Sequence, residues 1–159
     1  MDSDDLIIRA ARPDEAELLS HMIFRAASYW EYPRELLDHW LEEGRFNVTP
    51  EEIERGCTFL VEDEEEDEVL GFYTIVVQGE VCELKHLFVL PEYAGADVRE
   101  ALFFDACELA ETIGAEYLTV TVDAHEAGFY EEMGAALYEK RQIGTPLGDV
   151  TFDVMRLSL

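Results

Sequence analysis

The stretch ELKHLFVLPEYAGADVREALF, residues 83–103, decides the fold because its hydrophobic period changes within a single turn. Residues 81–90 are apolar enough for a strand, and from Val98 onward the apolar side chains recur at helical spacing. The turn between them holds one glycine, Gly95. A strand that leads through a glycine turn into a helix is a common framework for a phosphate site, because unpaired amides at the helix start point toward the anion.

The elements around this stretch alternate in type. The predicted strands cover residues 6–11, 57–63, 68–80, 81–90, 116–124, 136–142 and 150–159. The predicted helices cover residues 12–30, 34–44, 49–56, 98–113 and 126–134. The three consecutive strands between residues 57 and 90 indicate an antiparallel meander. This order predicts an α/β fold with a central mixed, mostly antiparallel sheet of about seven strands, flanked by helices.

Two of the predicted helices have a clear apolar face. On the first, the face comprises Leu18, Leu19, Met22, Ile23 and Ala26. On the helix over residues 98–113, it comprises Val98, Leu102, Ala106, Leu109 and Ile113. Gly114 follows that helix, as expected for a helix end.

The charge balance is extreme, with 37 acidic against 11 basic residues and a formal net charge of −26. Such a charge repels nucleic acid, so no nucleic-acid partner is expected. The acids run through helices that also have good apolar faces, which indicates a solvated shell and not a disordered tail. Molar salt shortens the screening length to about 3 Å, and the acidity therefore indicates a halophile-like protein of a salt-rich cytoplasm.

Length and hydropathy predict one domain over residues 1–159. The longest uncharged apolar run is about half of a membrane span, and the first residues carry acids where a signal peptide carries bases. We therefore expect a cytoplasmic protein without a membrane partner. The three cysteines indicate reduced thiols, and the four scattered histidines give no metal-site spacing, so no metal is expected.

The stretches ELKHLFVLPEYAGADVREALF and LTVTVDAHEAGFYEEMGA, together with YWEYP in the N-terminal half, resemble the GCN5-related N-acetyltransferase (GNAT) superfamily. The resemblance covers essentially the whole chain. It implies a sheet that splays between its fourth and fifth strands, with acetyl-CoA as acetyl donor and an amine as acceptor. The acceptor stays open, and so does assembly as a homodimer.

The resemblance also implies where acetyl-CoA binds. Its pantetheine arm pairs with the main chain around Leu87, Phe88 and Val89, and amides near Val89 polarise the thioester carbonyl. The implied phosphate loop comprises Ala94, Gly95, Ala96, Asp97, Val98 and Arg99. Asp123 stands where the family often has an asparagine.

Two residues of this loop depart from the glycines that the family pattern has there. Asp97 brings a negative charge close to the implied phosphate, whereas Arg99 could donate to it as a bidentate partner. Aspartate is also a good helix cap, so Asp97 has a purely structural alternative.

For catalysis, the resemblance implies Glu83 as general base and Tyr130 as the acid that protonates the departing thiolate. The structural alternatives are a surface-strand acid for Glu83 and a core tyrosine for Tyr130. A carboxylate is a weak base for an ammonium ion of pKa about 10.4, so Glu83 needs burial or a relaying water. His86 faces the other side of its strand, next to Leu84 and Phe88, and is interpreted as a core histidine.

Aromatic residues gather around the first two helices, which in this superfamily form one wall of the acceptor cleft. Tyr29, Trp30 and Tyr32 are the candidate acceptor-binding residues, with His39 and Trp40 close by in the sequence. A helical core explains these aromatics as well. A non-catalytic relative that binds an acyl-CoA or a metabolite as a sensor or interaction module is the alternative function.

We expect folding to require salt, because the acidic shell repels itself when the screening length is long. Circular dichroism should show loss of structure as KCl is diluted from molar to millimolar concentration. Full retention of structure and melting temperature in dilute buffer would contradict the halophilic interpretation.

Overall fold

The computed structural model describes residues 6–27, 33–44, 47–55, 57–93, 97–122 and 126–159. The strands are β1 (Leu6–Ala10), β2 (Thr58–Asp63), β3 (Glu68–Gln78), β4 (Val81–Val89), β5 (Tyr117–Val122), β6 (Ala136–Thr145) and β7 (Gly148–Ser158). The helices are α1 (Ala16–Ala27), α2 (Arg34–Glu42), α3 (Pro50–Glu54), α4 (Val98–Ile113) and α5 (Ala127–Glu132). No helix among these ranges is long and apolar enough to cross a membrane.

The seven strands form one sheet in the order β1-β2-β3-β4-β5-β7-β6. The pairs β1–β2, β2–β3, β5–β7 and β6–β7 are antiparallel, whereas β4 and β5 are parallel. Helix α4 supplies the crossover that two parallel neighbours need. The predicted fold class, a mixed and mostly antiparallel sheet with flanking helices, is confirmed.

The chain divides into two compact units: Met1–Thr74 with His86–Asp105, and Ile75–Lys85 with Ala106–Leu159. The core of the first unit includes Leu19, Ile23, Trp40, Leu60, Phe72 and Phe103. The core of the second unit includes Ala106, Ala110, Leu118, Val120, Tyr130 and Met155.

A buried carboxylate ties β1 to the turn that precedes α1. Glu15 is only 7% exposed, and its two oxygens accept hydrogen bonds of 2.9 and 2.8 Å from the Arg9 guanidinium. The backbone amide of Arg12 donates to the same carboxylate at 2.8 Å. Arg9 also contacts Glu62 of β2 at 3.2 Å. The hydrogen bonds from Arg9, more than that from Arg12, lower the pKa of Glu15.

The predicted helical faces are correct in part. On α1, Leu19, Met22 and Ile23 are buried as predicted, but Leu18 is 46% exposed. On α4, the buried residues are Val98, Leu102, Phe103, Ala106 and Ala110. Phe103 and Ala110 shift the centre of this stripe away from Leu109, which is half-buried. Ile113 is 41% exposed because it is the last residue of the helix.

A close backbone contact in the first unit holds β4 against β3. A Cβ atom at Gly71 would lie 2.7 Å from the Phe88 carbonyl oxygen and 3.1 Å from side-chain atoms of Leu102 and Val89. The register of β2 and β3 shifts here, between Val61↔Gly71 and the next aligned pair, as a β-bulge does. Only glycine lets the two backbones approach this closely.

We expect Gly71→Ala to lower the free energy of unfolding by about 1 to 3 kcal/mol, because the carbonyl oxygen that the added methyl group meets cannot rotate away. Chemical denaturation in molar KCl measures the change. Gly128→Ala is the matched control, since no atom lies within 4 Å of a Cβ at that position of α5. A Gly71→Ala variant as stable as the unmodified protein would show that β4 can shift.

Candidate active site

The pairing of β4 with β5 is short. It comprises Val81↔Tyr117, Cys82↔Leu118 and Glu83↔Thr119, although β4 continues to Val89 and β5 to Val122. The predicted splay between the fourth and fifth strands is therefore confirmed. In sheets with parallel strands joined through a helix, ligands bind beyond the carboxyl ends of such strands.

Glu83, the predicted general base, belongs to the last aligned pair of β4 and β5. It is half-buried, and no described residue makes a hydrogen bond or an ion pair with its carboxylate. The carboxylate is therefore available to accept a proton or a hydrogen bond from a ligand.

Two aligned pairs place Glu83, Thr119 and Arg156 in one row across β4, β5 and β7. Aligned residues of neighbouring strands point to the same face of a sheet. The three side chains therefore lie on one face, and we call this set the Glu83 row. Sequence reasoning missed Thr119 and Arg156, because the row depends on strand pairing. The one available signal was a basic residue, Arg156, within the otherwise apolar run VMRL of residues 154–157.

Tyr130, the predicted acid, lies on α5 and is only 2% exposed. Its ring makes an edge contact with Phe129, with centroids 5.1 Å apart, and its carbonyl accepts a 2.9 Å hydrogen bond from Ala135. This burial fits the core-tyrosine alternative, and the catalytic role of Tyr130 stays a prediction.

The predicted pantetheine strand has alternating main-chain directions. The Leu90 amide donates to the Leu70 carbonyl at 2.8 Å, and the Phe88 carbonyl lies against Gly71. The main-chain groups of Phe88 and Leu90 therefore face β3. Peptide groups alternate along a strand. The groups of Leu87 and Val89 therefore point to the opposite edge of β4, whereas those of Phe88 do not.

The predicted phosphate loop is described only from Asp97 onward, and Ala94, Gly95 and Ala96 lie outside the described residues. Asp97 is exposed and directly precedes α4, and its carbonyl accepts the Ala101 amide at 2.9 Å. Asp97 thus begins the helix with its backbone. In the first turn of α4, Val98 is buried and Arg99 is half-buried. Of these two predicted contacts, the Arg99 side chain is the more accessible to a ligand.

The predicted acceptor wall is only partly described. Tyr29, Trp30, Tyr32 and Asp123 lie outside the described residues. Trp40 is 2% exposed and belongs to the core, and the Nε2 atom of His39 lies 3.1 Å from Glu43.

Two surface clefts adjoin α1. A cleft of about 720 Å³ includes Leu18, Phe24 and Leu41 in its lining, and one of about 430 Å³ includes Pro13 and Pro50. Neither is lined by a predicted site residue.

The thiols and His86 occupy structural positions. None of the three cysteines forms a disulfide, and burial, more than the nearby Glu111, raises the pKa of the Cys107 thiol to about 11. A thiol of that pKa is a poor nucleophile at neutral pH. His86 is buried, with its ring 5.9 Å from Phe72 and its Nε2 atom 3.9 Å from Glu52. In the described part of the chain, no group of His, Cys, Asp or Glu residues is arranged to hold a metal ion.

Comparison with known proteins gives a family match and many similar folds. The sequence profile of the acetyltransferase (GNAT) family matches residues 21–135, more than half of the chain. No curated protein matches at a significant level.

Three crystal structures illustrate the similarity of fold. A GCN5-related N-acetyltransferase from Rhodopseudomonas palustris is 20% identical with a TM-score of 0.78, over 96% of this chain and 95% of that chain. PaiA N-acetyltransferase from Thermoplasma acidophilum, in complex with coenzyme A, is 18% identical with a TM-score of 0.78, over 97% and 99%. The ribosomal-protein-S18-alanine N-acetyltransferase from Escherichia coli is 18% identical with a TM-score of 0.71, over 96% and 93%.

Proposed function

The chain belongs to the acetyltransferase (GNAT) family, and on that premise we propose that residues 1–159 form one domain that transfers an acetyl group from acetyl-CoA to a primary amine. The observation that carries the proposal is Glu83, a half-buried carboxylate at the end of the β4–β5 pairing that no described residue contacts by a hydrogen bond or an ion pair. The coenzyme A complex of the Thermoplasma relative supports acetyl-CoA as the donor.

The proposed transfer is a direct attack. The acceptor reaches the site as an ammonium ion, and Glu83 takes one proton from it, directly or through a water molecule. The freed amine nitrogen attacks the thioester carbon, and the C–N bond forms as the C–S bond breaks. The Tyr130 hydroxyl gives a proton to the thiolate that leaves, and the attacking nitrogen loses its second proton to water, which returns a proton to Tyr130. A raised pKa at the Cys107 thiol argues against an acetyl-cysteine intermediate at that position.

Main-chain groups of β4 are the proposed partners of the thioester and the pantetheine arm. Leu87 and Val89 are better suited than Phe88, because their peptide groups point away from β3. An amide donor at the developing oxyanion stabilises the transition state more than the ground state. Phe88 then contributes through packing, since its ring stacks on Phe72 with centroids 6.1 Å apart.

The start of α4 is the proposed phosphate site. The first helical amides and the Arg99 side chain would bind the pyrophosphate, with Ala94, Gly95 and Ala96 completing the loop. The exposed Asp97 carboxylate would oppose this binding through its charge. We further propose a salt-rich cytoplasm as the working environment, on the basis of the acidic shell alone.

Calorimetric titration with acetyl-CoA in molar KCl tests the first step. Binding followed by CoA release with an amine supports the enzyme. Binding without turnover of any amine favours the alternative, a non-catalytic sensor or interaction module.

We expect Glu83→Gln to lower turnover about 100-fold at neutral pH, because the acceptor ammonium then loses its proton only to solvent. The deficit should shrink as the pH approaches 10, where free amine becomes abundant. Tyr130→Phe should lower turnover with little change in acetyl-CoA affinity. Steady-state rates across pH measure both effects. Glu80→Gln is the control, because Glu80 is an exposed acid directly before β4. Unchanged turnover of Glu83→Gln and Tyr130→Phe would assign both residues structural roles.

We expect Asp97→Gly and Arg99→Ala to change coenzyme A affinity in opposite directions. Removing the carboxylate should tighten binding by about 1 kcal/mol, roughly fivefold, because salt screens most of the charge effect. Removing the guanidinium should weaken binding by about 1.5 to 3 kcal/mol. Calorimetry measures both, with Arg34→Ala, an exposed arginine on α2 that pairs with Asp38, as the control. Weaker binding by Asp97→Gly would identify Asp97 as a helix cap.

A further inference from the structure

Arg156 is held between two tyrosine rings in the second unit. Its guanidinium carbon lies 3.6 Å from the centroid of the Tyr117 ring and 4.8 Å from that of Tyr138. Arginine stacks well on aromatic faces, and the contact occupies the flat faces of the guanidinium. The N–H groups lie in the guanidinium plane and are not used by such stacking. Arg156 is half-buried, and Tyr138 is 59% exposed.

The lack of a carboxylate partner makes this arginine unusual in so acidic a chain. Other arginines of the protein pair with acids: Arg9 with Glu15, and Arg25 with Glu92. Arg156 makes no ion pair with any described residue, and its Nε atom is buried without a hydrogen-bond acceptor. Native proteins seldom leave a buried N–H without an acceptor, because the loss of hydration is not compensated. The guanidinium thus keeps its charge without an acceptor among the described residues, and its terminal N–H groups are the ones that could donate to a ligand.

The position of Arg156 relates it to the candidate base. Through Thr119 it lies in the Glu83 row, two strands away from Glu83 on the same face. Neighbouring strands are about 4.8 Å apart, so the two backbones are separated by roughly 10 Å. Because glutamate and arginine side chains are long, one small molecule could contact both the Glu83 carboxylate and the Arg156 guanidinium.

We propose that Arg156 binds an oxyanion of the acceptor, so that the acceptor is an amine that also carries a carboxylate or a phosphate group. This inference rests on the proposed function, in which Glu83 receives the proton of the amine. The edge of a guanidinium donates two parallel hydrogen bonds to a carboxylate or a phosphate group. An ammonium group lacks this fixed pair of donors. The amine is then oriented at one end of the Glu83 row and the anion at the other.

The competing explanation is that Arg156 only fastens β7 to its neighbours through the two tyrosines. That role predicts an effect on stability and none on the choice of acceptor. The test therefore compares acceptors that differ only in the anion.

The experiment measures CoA release in fixed molar KCl with matched pairs of amines. Glycine, β-alanine and 4-aminobutyrate are each compared with the amine that lacks the carboxylate, and O-phosphoethanolamine is compared with ethanolamine. The twenty amino acids are likewise compared with their amides. We expect the best anionic amine to exceed its neutral partner about tenfold in kcat/KM, mainly through KM, which corresponds to about 1.4 kcal/mol. The length of the best ω-amino acid reports the distance between the Glu83 carboxylate and the Arg156 guanidinium. The comparison of O-phosphoethanolamine with ethanolamine shows whether a phosphate serves as well as a carboxylate.

Variants then assign the preference to this arginine. Arg156→Gln should reduce the anionic-to-neutral ratio toward one, and Arg156→Lys should restore part of it. Arg141→Gln is the matched control, because Arg141 lies on the neighbouring β6 and already pairs with Glu139 at 2.9 Å. It should leave the ratio unchanged. If Arg156→Gln does not fold, the pairs measured with the unmodified protein and with Arg156→Lys decide.

Failure of this inference can be distinguished from failure of the proposed function. Turnover of neutral and anionic amines at equal rates, or a ratio that survives in Arg156→Gln, would overturn the role of Arg156 and leave acetyl transfer in place. Acetyl-CoA binding without turnover of any anionic amine would also overturn it. No acetyl-CoA binding at millimolar concentration would instead remove the proposed function, and the inference with it.

Discussion

The early end of the β4–β5 pairing is the constraint on which the candidate active site depends. Only residues 81–83 of β4 align with β5, and Glu83 is the last of them. β4 continues beyond this pairing, and among the described strands none pairs with the main-chain groups that Leu87 and Val89 direct to its outer edge. The contact between Gly71 and Phe88 fixes which peptide groups these are. The proposed binding of the pantetheine arm therefore depends on backbone geometry more than on side chains.

Much of the fold could be predicted from the sequence, because periodicity reports which side of an element is buried. The long apolar strands and the helix after Val98 are examples. Details that depend on packing could not be predicted. Leu18 matches the apolar spacing of α1 and yet is exposed, and Phe103 widens the buried face of α4. The bulge opposite Val61 leaves no signal except Gly71.

The candidate site was predictable where it follows one strand and not where it crosses several. Glu83 was implied by the family resemblance, which depends on the strand that leads to the glycine turn. The distinction between Val89 and Phe88 requires the register of β4 against β3, and the link from Glu83 to Arg156 requires two further registers. Sequence spacing cannot give these, since 73 positions separate the two residues along the chain (156 − 83 = 73).

The buried Glu15 carboxylate has a consequence for how the protein responds to acid. Arg9 lowers the pKa of Glu15, so this ion pair stabilises the fold above the ordinary glutamate pKa and is lost only as the pH falls through the lower, folded-state value. Each proton that the acidic shell gains removes repulsion between its carboxylates. The lowered pKa of Glu15 keeps its ion pair with Arg9 intact further into acid than an unpaired carboxylate would allow, so β1 stays fastened to the turn before α1 while the shell begins to lose charge. Mild acid should therefore replace part of the salt that we expect folding to require.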